Sequence, residues 1–129
     1  MGRVLLADDD AISRKMLGFI LTSAGHEVDF AANGLEALQR LRVAPDDYQV
    51  VITDHDMPDL SGLDLVRQLT WQGICLNRIV VISAQITAMD RFNFHELPIH
   101  SILDKPIRPN LLLGAVQSIL DRPLPSRAA

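Results

Sequence analysis

Aspartates follow two short apolar runs of this sequence, where carboxylates could serve as nucleophiles or as metal ligands. The run at residues 3–7 leads to Asp8 and Asp9, and the run at residues 50–52 is followed closely by Asp54. Apolar runs of this kind are typical of strands buried on both faces of a parallel sheet. The carboxyl ends of such strands form the edge at which an open α/β sheet binds ligands. We therefore predict that these three carboxylates lie at a ligand-binding edge.

A hydroxyl and an amine follow two further apolar runs. Ser83 comes directly after the run at residues 79–82, and Lys105 comes shortly after the run at residues 101–103. In a sheet with the strand order 2-1-3-4-5, the first, third, fourth and fifth strands are neighbours. Ser83 and Lys105 would then converge with the carboxylates on one crevice.

The chemistry of this crevice follows from the charges it gathers. Asp8, Asp9 and Asp54 repel one another at a separation of a few ångströms, and a hard divalent cation is the usual remedy. We expect magnesium, with manganese as the alternative ion. Lys105 can pair with an anion, and the Ser83 hydroxyl can donate a hydrogen bond to the same anion. A phosphoryl group suits such a pocket, and Asp54 is the candidate nucleophile that would form an aspartyl phosphate.

Apolar runs alternate with amphipathic segments along the chain, as in a series of βα units. The predicted strands are 3–7, 27–31, 50–52, 79–82 and 101–103, and the predicted helices lie within 11–24, 35–44, 63–70, 85–98 and 109–120. In the first helix, Ile12, Met16, Phe19 and Ile20 recur at helical spacing. Right-handed crossovers place helices on both faces of a parallel sheet. We predict an α/β fold, a flavodoxin-like doubly wound five-stranded parallel sheet in the order 2-1-3-4-5, with about five helices.

Length and composition are those of one ordinary globular domain. The chain has 129 residues, of which 48% are hydrophobic and 22% are charged, and this length is enough to bury a single core. We predict one domain over residues 1–121, followed by a C-terminal tail or linker stub at residues 122–129. The formal net charge of −4 argues against direct nucleic acid binding by this chain.

Three further features bear on the cellular setting. No apolar run approaches the length of a membrane span, so we expect no membrane association. The apolar stretch before the aspartates at residues 8–10 is too short for a secretory signal, and we expect a cytoplasmic protein. Cys75 is the single cysteine, which excludes an internal disulfide and a thiolate metal site.

Four segments of the sequence together resemble the receiver domain of two-component response regulators. They are LLADDD, ITDHDMPDLSG, VVISA and LDKP, and 45 residues separate Asp9 from Asp54, 29 separate Asp54 from Ser83, and 22 separate Ser83 from Lys105. The segment SAGHEVDFAANGLEAL also resembles receivers, notably those fused to hybrid histidine kinases. The resemblance extends to about residue 120, and the strand order above rests on it as much as on the strand pattern.

The resemblance implies a magnesium site with a defined set of protein ligands. Asp9 and Asp54 would bind the ion directly, and the backbone carbonyl of Asp56 would be the third protein ligand. Asp8 would act through a water molecule. These roles are carried over from the family onto the matching positions of this sequence.

The resemblance also implies a function as a phosphorylation-dependent signalling switch. Asp54 would accept a phosphoryl group from a phosphohistidine on a histidine kinase or a histidine phosphotransfer protein. Ser83 would hydrogen-bond a phosphoryl oxygen, and Lys105, joined to Pro106 by a cis peptide bond, would form the ion pair. Such a protein is not an enzyme beyond weak self-catalysed phosphotransfer and dephosphorylation. Two features depart from the family. Ile102 replaces the usual aromatic switch residue, so no ring can rotate inward there, and the segment MDRFNFHELPIHS lacks the Gly-Ala dipeptide that usually precedes the fifth strand.

Two other functions are compatible with parts of this pattern. Asp54 and Asp56 have the spacing found in haloacid-dehalogenase-like phosphatases, where the second aspartate is a general acid, although no cap-sized insertion follows them. The other alternative is a receiver-like scaffold that binds partners without being phosphorylated. Asp56→Ala separates the first alternative from the switch, because it should abolish phosphatase turnover and still allow phosphorylation of Asp54.

Several polar residues have simpler interpretations than a role in chemistry. Asp10 is suited to cap the first helix. His55 lies beside the site in sequence, and we expect it to be an exposed loop histidine. His26, His95 and His100 lack the spacing of metal ligands and are expected at the surface.

Overall fold

The structure is a computed structural model that describes residues 2–122. Its strands are β1 Arg3–Ala7, β2 Glu27–Ala31, β3 Val50–Asp54, β4 Ile79–Ser83 and β5 Ser101–Asp104. Its helices are α1 Ala11–Ser23, α2 Gly34–Val43, α3 Gly62–Trp71, α4 Ala88–His95 and α5 Pro109–Leu120. The strands form a parallel sheet in the order β2-β1-β3-β4-β5, which confirms the predicted fold class. Apart from Arg122, the predicted tail at residues 122–129 lies outside the described residues.

The central strands align the ends that carry the polar residues. β3 and β4 are buried along their whole length, as expected for parallel strands with helices on both faces. Their register places Asp54 opposite Ile82, and β4 places Ser83 opposite Asp104 of β5. The carboxyl ends of neighbouring strands therefore reach the same edge of the sheet.

Successive strand residues enter two separate cores, one on each face of the sheet. Leu5 and Val51 belong to the core under α2, α3 and α4. Leu6 and Ile52, the next residues along the same strands, belong to the core shared with α1 and α5. This alternation follows from the two-residue period of a strand.

The face of helix α1 that packs against the sheet is not the face that carries Ile12, Met16 and Phe19. Ile12, Met16 and Phe19 are 71%, 62% and 72% exposed, whereas Leu17 and Leu21 pack into the core. Both sets recur at helical spacing. The periodicity therefore predicted the helix correctly without identifying the face that contacts the sheet.

Side-chain caps begin four of the helices in the described part of the chain. Asp10 accepts a hydrogen bond from the Ile12 N–H at 3.2 Å, which confirms its predicted role as the cap of α1. Asn33, Ser61 and Thr87 cap α2, α3 and α4 in the same way. Each cap satisfies a backbone N–H group that the helix itself leaves without a partner.

Helix α4 is the shortest of these helices and the least buried. It has eight residues, and Phe94 is its single buried residue, whereas Phe92 is 60% exposed. The helix lies at the middle of the predicted segment 85–98. No helix among residues 2–122 is long and apolar enough to cross a membrane.

Candidate functional site

The ends of four strands bring the predicted site residues together. Asp8 follows β1, Asp54 ends β3, Ser83 ends β4, and Lys105 follows β5. Lys105 Nζ lies 3.3 Å from Asp54 Oδ2 and 3.5 Å from Asp8 Oδ2. The convergence predicted from the strand order is therefore present in the structure.

Asp54 is a buried carboxylate with an unusual charge environment. Its side chain is held by the Lys105 ammonium and by the Asp56 backbone N–H, which donates to Oδ1 at 3.2 Å. Burial and the neighbouring Asp8 charge raise the pKa of Asp54 to about 6, against the lowering effect of Lys105. The surroundings thus destabilise the charged form of Asp54. Additional positive charge at this edge would stabilise the carboxylate and lower its pKa.

The carboxylates around Lys105 favour its charged form. Burial alone lowers its pKa, but the charges of Asp54 and Asp8 outweigh burial and raise the pKa above the usual lysine value. Lys105 is therefore a permanent cation at neutral pH. The peptide bond to Pro106 is cis, as predicted.

The three carboxylates could hold a metal ion. Asp8, Asp9 and Asp54 each offer one oxygen atom, and these oxygens all lie within 4.8 Å of one another. Asp8 is fully buried and Asp54 is 3% exposed, whereas Asp9 is exposed to solvent. A cluster of carboxylate oxygens open to water on one side matches the preference of magnesium for hard ligands and retained waters.

Ser83 and Asp56 are linked across the site. Ser83 is fully buried, and its hydroxyl donates to Asp56 Oδ2 at 3.1 Å. Asp56 is itself exposed. The Ser83 hydroxyl therefore already has a hydrogen-bond partner, and that partner is a carboxylate that solvent can also reach.

Helix α3 begins directly against the strand that carries Asp54. A Cβ atom at Gly62 would lie 2.7 Å from the Asp54 carbonyl oxygen and 2.7 Å from the His55 Cα. Real Cβ atoms do not approach that closely, so only glycine allows this contact. The close approach fixes the start of α3 relative to the site.

The expectation of an exposed His55 is wrong. His55 is only 8% exposed, and its Nε2 lies 3.0 Å from Asp90 Oδ2. The reason is the alternation of β3, in which Val51, Thr53 and every second residue after them face the side of α3 and α4. This alternation was readable in the sequence, but the partner Asp90 is 35 residues away and belongs to no local pattern.

Two of the other histidines also differ from expectation. His26 is buried, and its Nδ1 accepts the Gly2 N–H at 3.1 Å, while burial lowers its pKa. His100 is partly buried and lies at hydrogen-bond distance from Ser101 and Ser118. His95 is exposed, as predicted. None of the three lies among the carboxylates that could hold a metal.

The fold and this acidic edge define a class of signalling proteins. The family model of the response regulator receiver domain matches residues 4–117, and the chain belongs to this family. Receiver domains are signalling modules of two-component systems and not classical enzymes.

Individual relatives and solved structures agree with this assignment. A homolog of the transcriptional regulatory protein CpxR from Haemophilus influenzae is 31% identical over 122 residues, covering 95% of this chain and 52% of that protein. The sensory/regulatory protein RpfC of Xanthomonas campestris pv. campestris is 32% identical over 120 residues, covering 91% of this chain and 16% of that protein. A receiver domain protein from Clostridium thermocellum has the same fold, with a TM-score of 0.85 at 23% identity over 95% of this chain and 96% of that one. The chain spans about half the length of the transcriptional regulators that it matches.

Proposed function

We propose that this chain is a phosphorylation-dependent signalling switch in which Asp54 accepts a phosphoryl group from a phosphohistidine. The donor would be a histidine kinase or a histidine phosphotransfer protein. The observation that carries the proposal is the position of the Asp54 carboxylate, which lies 3.3 Å from Lys105 and within the acidic cluster of Asp8 and Asp9. Membership of the receiver domain family supports a histidine kinase as the source of the phosphoryl group.

The transfer step uses the residues in distinct roles. One Asp54 oxygen attacks the phosphorus atom, and an O–P bond forms as the N–P bond to the donor histidine breaks. The donor ring leaves with the electrons of that bond. Lys105 offsets the negative charge on the phosphoryl oxygens. Ser83 exchanges its hydrogen bond with Asp56 for one to a phosphoryl oxygen.

The magnesium ion would be held by side chains already gathered at this edge. Asp9 and Asp54 would bind it directly, with the Asp56 carbonyl as a further ligand and manganese as an alternative ion. Asp8 would act through water, as the resemblance to receiver domains implies, and its two oxygens accept from the Asp10 N–H at 2.9 Å and from Lys105 at 3.5 Å. When bound, the ion supplies positive charge that offsets the charge developing during transfer.

The phosphoryl group then acts as a signal. It adds negative charge and acceptor oxygens at the strand ends, and a partner protein reads the resulting state. Slow hydrolysis at the same site ends the signal, so the chain does not turn over a substrate as an enzyme does. We assign this role to a unit of residues 1–121 and expect it to act in the cytoplasm.

Intact mass spectrometry tests the proposal. Wild-type protein incubated with acetyl phosphate should gain one phosphoryl group only when magnesium is present, and Asp54→Asn should gain none. Asp59→Asn is the matched control, because Asp59 lies on the loop that follows Asp54. Its φ is 67°, a backbone conformation that asparagine also tolerates. A folded wild type that binds magnesium and gains no phosphoryl group would overturn the proposal in favour of a phosphorylation-independent scaffold.

A further inference from the structure

The backbone of His55 is tied to the strand end that carries the phosphoryl-accepting carboxylate. His55 directly follows Asp54, and its N–H donates to the Ile82 carbonyl of β4 at 2.9 Å. Its own carbonyl accepts from the Met57 and Gly62 N–H groups at 3.1 Å and 3.0 Å. These bonds leave the His55 backbone little freedom of its own. A rearrangement at Asp54 would therefore carry His55 with it.

The His55 ring bridges the starts of α3 and α4. The Leu63 N–H, in the first turn of α3, donates to Nδ1 at 3.3 Å. Nε2 therefore carries the ring proton and donates to the Asp90 carboxylate at 3.0 Å. The ring also meets Phe94 edge-on, with centroids 5.2 Å apart and planes at 79°. Both Asp90 and Phe94 belong to α4, so the ring joins the strand end to that helix.

Helix α4 has little buried surface to resist movement, and its ion pair with β5, from Arg91 Nη2 to Asp104 Oδ1 at 3.4 Å, is exposed to solvent. Phe94 is its single buried residue, and the His55 ring touches this side chain. Elements with little buried surface shift at low free-energy cost. Ile102 of the neighbouring strand β5 packs against the same core with an aliphatic side chain, which offers no hydrogen bond. The His55 contacts are thus well placed to set the position of α4.

We infer that His55 and Asp90 couple the phosphoryl site to helix α4, so that the state of Asp54 determines how α4 is held. This inference rests on the proposed phosphorylation of Asp54. Ser83 and Asp56 lie on either side of this strand end, and their exchange of partners displaces the peptide that carries the ring. The hydrogen bond to Asp90 and the contact with Phe94 transmit this displacement to α4. His55 is a positioning residue in this scheme and does not touch the reacting atoms.

Hydrogen exchange of the α4 amides, residues 88–95, tests the coupling. The protein is measured in magnesium with and without beryllium fluoride, an analogue of the phosphoryl group. In the wild type the analogue should change exchange at α4 and at residues 55–61, the loop that follows Asp54 and is here called the Asp54 loop. In Asp90→Ala, α4 should exchange roughly tenfold faster without the analogue, the factor typical of one charge-assisted hydrogen bond. The response of α4 to the analogue should be lost, while protection of the Asp54 loop is retained.

Two comparisons separate coupling from a merely structural role. A structural role would change α4 exchange equally in both states and leave the response to the analogue intact. His95→Ala is the matched control, since His95 is an exposed histidine of the same helix, and its response should equal that of the wild type. In a cycle with His55→Leu, the double variant should lose no more response than either single variant. If His55→Leu does not fold, the Asp90→Ala arm decides the question alone.

The outcomes distinguish this inference from the function on which it rests. A wild type whose Asp54 loop ignores the analogue overturns both proposals. Binding of the analogue to Asp90→Ala with an unchanged α4 response overturns the coupling alone and leaves the phosphorylation switch in place.

Discussion

Asp54 experiences opposing electrostatic influences within a few ångströms. Burial and the Asp8 charge favour its neutral form, whereas Lys105 favours the carboxylate, and the balance raises its pKa to about 6. The nucleophile is therefore held in a charge state that costs free energy at neutral pH. A cation bound beside it would relieve that cost and, by the same interaction, lower the pKa.

The raised pKa predicts how Asp54→Asn changes stability with pH in the absence of magnesium. The protonated side chain stabilises the folded state fully below the unfolded pKa, and this contribution is lost as pH rises through about 6. Asn mimics the protonated form at every pH. We expect Asp54→Asn to be more stable than the wild type by about 1–2 kcal/mol at pH 7.5, after allowance for solvent screening.

Urea unfolding of both proteins with a chelator present measures this difference. The advantage of Asp54→Asn should shrink toward pH 4, because both proteins then carry a neutral side chain at position 54. An advantage independent of pH would show that the charge of Asp54 is not its origin.

The contact between α3 and the end of β3 determines the geometry of the site. A Cβ at Gly62 would lie 2.7 Å from backbone atoms of Asp54 and His55, and backbone cannot move aside as a flexible side chain can. Gly62→Ala should therefore destabilise the protein by about 1–3 kcal/mol through overpacking. It should also slow phosphorylation, because the start of α3 must shift away from the site.

Gly114→Ala provides the control for the glycine effect itself. Gly114 lies in α5, where an added Cβ meets no atom within 4 Å. We expect this variant to be more stable than the wild type by roughly 0.5–1 kcal/mol, because alanine loses less backbone entropy in a helix. Chemical denaturation of the two variants should thus give changes of opposite sign, and a stabilised Gly62→Ala would contradict the close contact.

Magnesium should act as a stabilising ligand of the folded protein. Because the three carboxylates are assembled by folding, the ion should raise the free energy of unfolding by about 2.7 kcal/mol at a hundred times its dissociation constant. Thermal unfolding with and without a chelator measures this gain. Asp9→Asn should lose most of it. Asp10→Asn should keep it, since asparagine also caps a helix, and equal losses in the two variants would argue against the assigned ligand set.

The sequence was sufficient for the fold and for the residues gathered at the sheet edge. The central strands β1, β3 and β4 are largely apolar runs with polar residues at or just after their carboxyl ends, so β3 and Asp54 could be placed together from local pattern alone. The buried face of α1 could not be identified from local pattern, because Met16 and Leu17 are both apolar and tertiary packing decides which of them is buried. The His55 contact with Asp90 was missed for a related reason: the two residues meet only after α4 has docked, and no short-range signal connects them.

The strand order also bears on the synthesis of the chain. β4 pairs with β3, and β5 pairs with β4, so these strands add to one side of the sheet in the order in which a ribosome releases them. Asp8, Asp9 and Asp54 can come together once β3 has emerged, but Lys105 follows the last strand. A nascent chain therefore contains the three aspartates before the lysine that pairs with two of them, and Lys105 can take its place at the site only after β5 has been synthesised.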